Sequence, residues 1–514
     1  MIKTIIKPNH YMDSIFLITA SKEMMKLDGV KNAVALMGSD MNKTVLEEFG
    51  GLTDTAKKAT PNDLVISLDT ERAEAAAEAE ALIEKLLAGT GNKAQIKEPE
   101  YRTIGMAAEA DPRANLAIIS VPGEFAGLEA RAALNRGMNV FMFSDNVPID
   151  EEVQLKKLAK EKNLLVMGPG AGTAVINGVS LGLMSEIRRG SIGIVGASGS
   201  GIQEIAILVH RCGEGVSQAI GTGGRDLSKE VGGITMLQGL EYLSEDTDTK
   251  VIVLVSKPPH PDTCKKIYEV LPKHKPTVVF FLGGDPEEIR AAGAYAPESL
   301  EQTAQMAVSL VRGEKPDKTE TVEQIVKYLV PPAEEERKKL ISKQKYMRGL
   351  FCGGTHSEEG VLLLGGRVPK LHSNIRFGNV EKLQNRHVSV ENSLVDMGDE
   401  EFTKGKPHPV MDPSILVDRM LQEARDPEVG VILFDLLYGH GVHEDPVAAI
   451  EEALKGITQI CEENNRHICL VASLCGTDRD PQGIARQKQR LEEYGVIIMP
   501  SNAKAALFSG LIVS

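Results

Sequence analysis

Residues 191–211 read Ser191-Ile-Gly-Ile-Val-Gly-Ala-Ser-Gly-Ser-Gly-Ile-Gln-Glu-Ile-Ala-Ile-Leu-Val-His-Arg211. Ile192–Val195 is a short apolar run, Gly196–Gly201 a Gly/Ser-rich turn, and Ile202–Arg211 carries apolar residues at helical spacing. An apolar strand that passes through a glycine turn into an amphipathic helix opens a βαβ unit, and such units build parallel sheets. The same alternation recurs at Asn115–Val121, Val140–Ser144, Val251–Ser256 and Thr277–Gly283. The fold class is α/β.

A weak internal repeat organises the second half of the chain. Residues 191–300 run from that first strand and helix to Ala219-Ile-Gly-Thr-Gly-Gly-Arg-Asp-Leu227. They continue with Val251–Ser256 before Lys257-Pro-Pro, and with Val278–Leu282 before Gly283-Gly-Asp-Pro286. Residues 347–500 repeat the order: Arg348–Cys352 into Gly353-Gly-Thr-His356, Ser393–Phe402, Val431–Asp435 with its loop to His440, and Ile468–Ser473 before Cys475-Gly-Thr-Asp-Arg-Asp-Pro481. Two flavodoxin-like domains with matching loops account for this. We therefore expect four domains: a small α+β domain at 1–100, a Rossmann-like domain at 101–190, and two flavodoxin-like domains at 191–335 and 345–514. In the first, helices are expected near Asp13–Lys26 and over Thr70–Leu87, with a linker at Gly89–Glu100. The run Glu334-Glu-Glu-Arg-Lys-Lys339, after Pro331-Pro332, reads either as a hinge or, the reading preferred, as the start of a solvated helix.

Composition narrows the function. Lys and Arg number 58 against 72 Asp and Glu, a net charge of −14, and aromatic residues make up 4% with no Trp. Nucleic-acid binding is not expected, because it calls for a basic stripe or stacking aromatics. No apolar run approaches the ~18 residues of a membrane span, and Met-Ile-Lys-Thr-Ile-Ile-Lys-Pro at the N-terminus lacks a signal-peptide apolar region. The expected location is the cytoplasm. The six cysteines form no C-x-x-C pair, so neither a disulfide framework nor a zinc pattern is read from them. His440 and His443, with Glu444 and Asp445, fit no zinc spacing either. The residues call for no metal and no cofactor.

Ligands of open parallel sheets bind at the carboxyl ends of the strands, where the Gly-rich turns lie. In Gly196–Gly201, glycines admit close approach, and the following helix offers free N–H groups and partial positive charge. Ser198, Gly199, Ser200 and Gly201 thus form a candidate phosphate or carboxylate site, although a serine-capped turn would read the same way. Gly223, Gly224 and Arg225 make a second, since Arg can grip an oxyanion bidentately. Gly354, Thr355 and His356 make the matching turn of the second repeat. Lys406 and His408 add basic groups in Lys404-Gly-Lys-Pro-His-Pro409, where a solvated turn reads equally well. His440 follows the apolar strand ending at Asp435 and is a candidate general base or carbonyl donor. No G-x-S-x-G elbow and no P-loop is present, so positioned charges and N–H groups carry the chemistry.

Residues 101–330 resemble the α subunit of succinyl-CoA synthetase and other NDP-forming acyl-CoA synthetases, through Ser120-Val-Pro-Gly-Glu-Phe-Ala126, Met167-Gly-Pro-Gly-Ala-Gly-Thr173 and Gly193-Ile-Val-Gly-Ala-Ser-Gly199. Residues 347–514 resemble the CoA-ligase module of the β subunit, and the resemblance implies a CoA-binding-type domain at 101–190 and ligase-type domains at 191–335 and 345–514. The whole chain is most similar to the FdrA family, on Phe143-Ser-Asp-Asn146, Ile220-Gly-Thr-Gly-Gly-Arg-Asp-Leu-Ser228, Lys257-Pro-Pro and Gly405-Lys-Pro-His-Pro409. The departures matter. Where the synthetases phosphorylate a His, this chain reads Ala291-Ala-Gly-Ala-Tyr-Ala296, and where they place a Glu to hold it, Lys257 reverses the charge. The Gly-rich CoA-phosphate turn and the ATP-grasp half are also missing. The resemblance to FdrA implies a subunit of an oxamate carbamoyltransferase in anaerobic allantoin and purine catabolism, converting oxalurate and phosphate to oxamate and carbamoyl phosphate. It implies partner subunits, a homo-oligomer and small anionic substrates, CoA among the candidates. On that reading Lys257, Arg225 and His440 are catalytic. An acyl-CoA synthetase subunit and a non-catalytic scaffold are the alternatives.

Overall fold

The computed structural model describes residues 2–10, 12, 14–48, 50–89, 101–375, 377–378, 380–403 and 407–514. They fall into two compact units, one within Met1–Glu100 and one comprising Tyr101–Thr403 with Pro407–Ser514.

The first unit holds an antiparallel sheet of β1 (Ile2–Lys7), β2 (Val30–Met37) and β3 (Leu64–Thr70), ordered β1-β3-β2. Helices Ser14–Met25 and Ala73–Gly89 accompany it. Leu17, Met24, Leu64, Ile66, Leu68, Ala79 and Ile83 make its core. Thr70, expected to start the long helix, is instead a buried residue of the central strand, paired with Val30. The helix begins at Ala73, because pairing with Val30 keeps Thr70 in the ladder. Gly89 closes that helix, and the rest of the expected linker, 90–100, lies outside the described residues.

The second unit contains three parallel-rich sheets. The smallest orders β4 (Leu116–Ile119), β5 (Asn139–Met142) and β6 (Val166–Met167) side by side. Next come β7 (Thr173–Ile176) and β8 (Val179–Gly182), then β9 (Arg189–Ala197), β10 (Val216–Gly221), β11 (Val251–Ser256) and β12 (Thr277–Phe281). They form one sheet ordered β12-β11-β9-β10-β7-β8. The β7–β8 hairpin thus leaves the stretch to which the sequence reading assigned it and pairs with β10. The third sheet is wholly parallel. It orders β15 (Glu381–Lys382), β14 (Leu371–Ser373), β16 (Asn392–Asp396), β13 (Tyr346–Phe351), β17 (Val429–Leu437), β18 (Cys469–Cys475) and β19 (Ile497–Met499).

The repeat is visible in the strand orders. β12-β11-β9-β10 in one sheet matches β18-β17-β13-β16 in the other. In each, the central strand feeds a buried helix, Gly199–Arg211 after β9 and Gly354–Leu364 after β13. Registers bring Ala197 beside Ser256, and Phe351 beside Asp396, so the strand ends of each sheet lie together. Before β13, helix Val322–Arg337 runs through Pro331 and Pro332, and Glu334–Glu336 lie in its last turns. The expected hinge and helix start is therefore a helix end. Two missing N–H groups are tolerated there, with Leu329 and Ala333 anchored in the core on either side.

A buried ion network ties the β4–β6 sheet to the loop after β10. Fully buried Lys156 pairs with Glu152 at 2.9 Å and Asp226 at 2.7 Å, and donates to the Thr222 carbonyl at 2.9 Å. Asp226 also accepts from the Met236 amide at 2.8 Å. Removing one partner strands a buried charge, which costs about 3–5 kcal/mol. Asp226→Ala is expected to lower the thermal unfolding midpoint steeply, and Asp226→Asn less so. A midpoint unchanged in Asp226→Ala would show that the network contributes nothing to stability.

Candidate functional site

Helices Gly199–Arg211 and Gly354–Leu364 bring their N-termini together. Ser198 caps the first, its hydroxyl accepting from the Gly201 amide at 3.1 Å. Across the seam Ser198 Oγ and Thr355 Oγ1 are 2.6 Å apart, and the Thr355 amide donates to Ser200 Oγ at 3.1 Å. The first helical N–H groups have no partner within their own helix, and those of Gly199, Ser200 and Gly354 lie on residues that are not fully buried. Two partial positive poles thus share one small volume, an arrangement that favours an anion. Gly353 has to be glycine: a Cβ there would lie 2.8 Å from His356 Nδ1 and 3.1 Å from Ser200 Cβ.

Lys257 stands at the rim. Its Nζ lies 3.5 Å from Glu358 and would be 3.3 Å from a Cβ built on Gly354, whose other neighbour is an Asp396 oxygen. Burial works against its charge, and the carboxylates of Glu358 and Asp396 overcome that, so its pKa is raised. Burial also raises Glu358, with Lys257 opposing. Asp396 is pushed up to about 7 by burial, again against Lys257. Its Oδ1 accepts from the Gly398 amide at 2.9 Å, and its backbone is clamped by Asn374. Asn374 also lines a cavity of about 270 Å³ with Lys382, Gln384 and Arg386, room for a small anion. His408 lies against Gly398, with burial lowering its pKa to about 4, so the ring is neutral.

The structure therefore brings together Ser198, Gly199, Ser200, Gly201, Lys257, Gly354 and Thr355, with His408 behind Asp396. His356 contributes its backbone only. Its imidazole is fully buried, Nδ1 lying 2.7 Å from Asp435, which also accepts from the amides of Cys352 and Gly353. Arg225 is engaged elsewhere: its guanidinium lies 2.9 Å from Glu152 and donates to the Val147 carbonyl at 2.7 Å. Gly223 packs at φ +85° against the Pro169 carbonyl, while Gly224 faces open space. His440 is exposed, 2.9 Å from Glu186, with its amide on the Met184 carbonyl. Lys406 lies outside the described residues.

Sequence reasoning missed Asp396, Glu358 and Glu204. Each is a carboxylate in an otherwise apolar strand or helix face, and that incongruity is the signal that could have exposed them. The turn at Gly123, where a CoA phosphate would approach a Rossmann-like helix, packs on the Asp145 and Asn146 carbonyls. Close passage of the chain explains that glycine.

Asp396 yields a pH test. Its folded pKa of about 7 lies above the ordinary 3.8, so the folded state keeps a proton that the unfolded chain loses, and stability falls as pH rises between those values. Asp396→Asn has no such titration. Relative to wild type it is expected to gain about 1–3 kcal/mol between pH 5 and pH 8, read from denaturation at both. An equal difference at the two pH values would place Asp396 as an ordinary ionised carboxylate.

Residues 350–512 match the family model for CoA-ligase, residues 187–283 the CoA binding domain, and residues 1–102 the model described as AllF, heavy metal-associated domain. The CoA-binding match thus falls on the stretch read above as the first ligase-type domain. The chain is 41% identical over 513 residues to Uncharacterized protein YahF of Escherichia coli (strain K12), covering 99% of this chain and 98% of that one. It is 27% identical over 189 residues to Succinate–CoA ligase [ADP-forming] subunit alpha 1 of Archaeoglobus fulgidus, covering 36% of this chain and 63% of the relative. ATP citrate lyase from Methanothrix soehngenii, solved with citrate and coenzyme A, aligns at 20% identity over 41% of this chain and 42% of its own, with a TM-score of 0.36. Among the described residues no helix is long and apolar enough to cross a membrane. The chain belongs to the family that includes YahF, and it carries CoA-ligase and CoA-binding domain matches.

Proposed function

We propose that this chain is an FdrA-type subunit of a carbamoyltransferase, moving a carbamoyl group between oxalurate and phosphate. The observation that carries the reading is the pair of facing helix N-termini with Lys257 at their rim. The reaction brings two anions together, and such a cradle suits that task. A phosphate oxygen attacks the ureido carbon, the carbon–nitrogen bond breaks, and the phosphate proton ends on the nitrogen of oxamate. The Gly199 and Ser200 amides would hold phosphate. Gly354 N–H and Lys257 would stabilise the oxyanion as it forms. Asp396, with a carboxyl that titrates near 7, would pass the proton to the leaving nitrogen. The turn Ala291–Ala296 carries no His for a phosphoryl relay. It lines a separate cavity of about 500 Å³ with Arg290, Met306 and Lys315.

Arg225 acts at one remove, through Glu152, as a positioning residue for the loop after β10, and His440, paired with Glu186, carries no step of this scheme. A second reading, an NDP-forming acyl-CoA ligase subunit, is favoured by the CoA-ligase and CoA-binding matches.

One assay separates them. Carbamoyl phosphate formation from oxalurate and phosphate is measured with this chain alone and with the products of its neighbouring genes, beside wells holding succinate, CoA and ATP. Carbamoyl phosphate is the expected product. Lys257→Ala is expected to lower its rate about 10²–10³-fold, the range for losing one oxyanion donor. CoA thioester formed instead, or full phosphorolysis by Lys257→Ala, contradicts the proposal.

A further inference from the structure

Beneath the cradle lies a second constellation that the proposed reaction does not use. Glu204 comes from helix Gly199–Arg211, His356 from helix Gly354–Leu364 and Cys475 from the end of β18, and all three are buried. One ligand atom of each, a Glu204 oxygen, a His356 ring nitrogen and Cys475 Sγ, lies within 4.8 Å of the others. His356 Nε2 is buried without a hydrogen-bond partner, and the nearest carboxylate oxygen, Glu204 Oε2, is 3.9 Å away. The opposite ring nitrogen is tied to Asp435 at 2.7 Å. A carboxylate that holds one histidine nitrogen and aims the other inward is the support that metal-ligating histidines receive.

We propose that Glu204, His356 and Cys475 bind one divalent transition-metal ion of the zinc class, fastening the two repeats to each other under their facing helix N-termini. The mixed N, O and S set suits zinc-like ions and not the all-oxygen preference of calcium or magnesium. Tetrahedral bonds of 2.0–2.3 Å put ligand atoms about 3.3–3.8 Å apart, so side-chain rotations close the remaining gap. Binding releases the Cys475 thiol proton to solvent, together with the Nε2 proton wherever the His356 ring is imidazolium. His356 Nδ1–H stays on Asp435, and its Nε2 lone pair goes to the ion. Three protein donors leave the fourth position to water. A second trio, Glu336, His467 and Cys469, is half-buried, and its carboxylate is already paired with Lys339 at 2.6 Å.

The test is cobalt titration of the full chain after chelator dialysis. Thiolate ligation gives a sulfur-to-cobalt charge-transfer band, and no cysteine precedes Cys212, so the N-terminal unit cannot supply it. The expected result is a band that saturates near one equivalent, disappears in Cys475→Ser and persists in Cys469→Ser. Glu204→Gln, which keeps an acceptor for the Asn502 amide, is expected to weaken cobalt binding at least tenfold while leaving the fold intact by circular dichroism. That variant keeps the proposal testable if Cys475→Ser does not fold. No band in wild type, a band surviving in Cys475→Ser, or unchanged affinity in Glu204→Gln overturns the proposal.

Discussion

The junction of two helix N-termini is the constraint on which the rest of this molecule depends. Each helix ends a βα step of its own sheet, and each points its positive pole at the other. Like poles repel, so the approach needs compensation. Part of it is local, through the Ser198–Thr355 hydroxyl contact and the Ser200 acceptor. The larger part is carboxylate. Glu204, Asp435, Glu358, Glu359 and Asp396 are all buried around the two helix starts. Glu204 accepts from the Asn502 amide and Glu359 from the Leu300 amide, so the same groups also cap neighbouring helices. Burial holds Glu359 and Asp396 near neutrality, each at about 7. The seam therefore carries movable protons beside its fixed dipoles.

This arrangement explains why Lys257 reads oddly in the sequence and sensibly in the structure. A lone cation at the end of β11 would have been desolvated at a cost. Glu358 and Asp396, both from the other repeat, supply its counter-charge and draw it across the seam. The repeats thus complete each other's sites, and neither forms the cradle alone.

Much of this was legible in the chain. Ile192–Val195 and Val251–Ser256 announced themselves as continuous apolar runs, and the turns 196–201 and 353–356 as glycine-rich passages into helices. What stayed hidden depended on partners remote in sequence. Arg225 is a good oxyanion grip until Glu152 and Val147 take its guanidinium. His356 reads as part of an anion-binding turn, yet Asp435 and the bulk of the seam hold its ring inside. Cys475 sits in no metal-binding spacing in the sequence, and only the fold sets it beside Glu204 and His356. The Glu334–Lys339 charge run misled because Pro331 and Pro332 suggested a break, whereas packing of Leu329 and Ala333 carries the helix through.

We propose that the facing helix starts form an anion cradle. A crystal structure of the full chain grown with tungstate, whose anomalous signal fixes its position, tests this most directly. The expected ion lies within hydrogen-bond distance of the Gly199, Ser200 and Gly354 amides and close to Lys257 Nζ. Tungstate ordered only elsewhere, at Arg225 or beside Lys382 and Arg386, with the cradle holding water alone, would contradict the account.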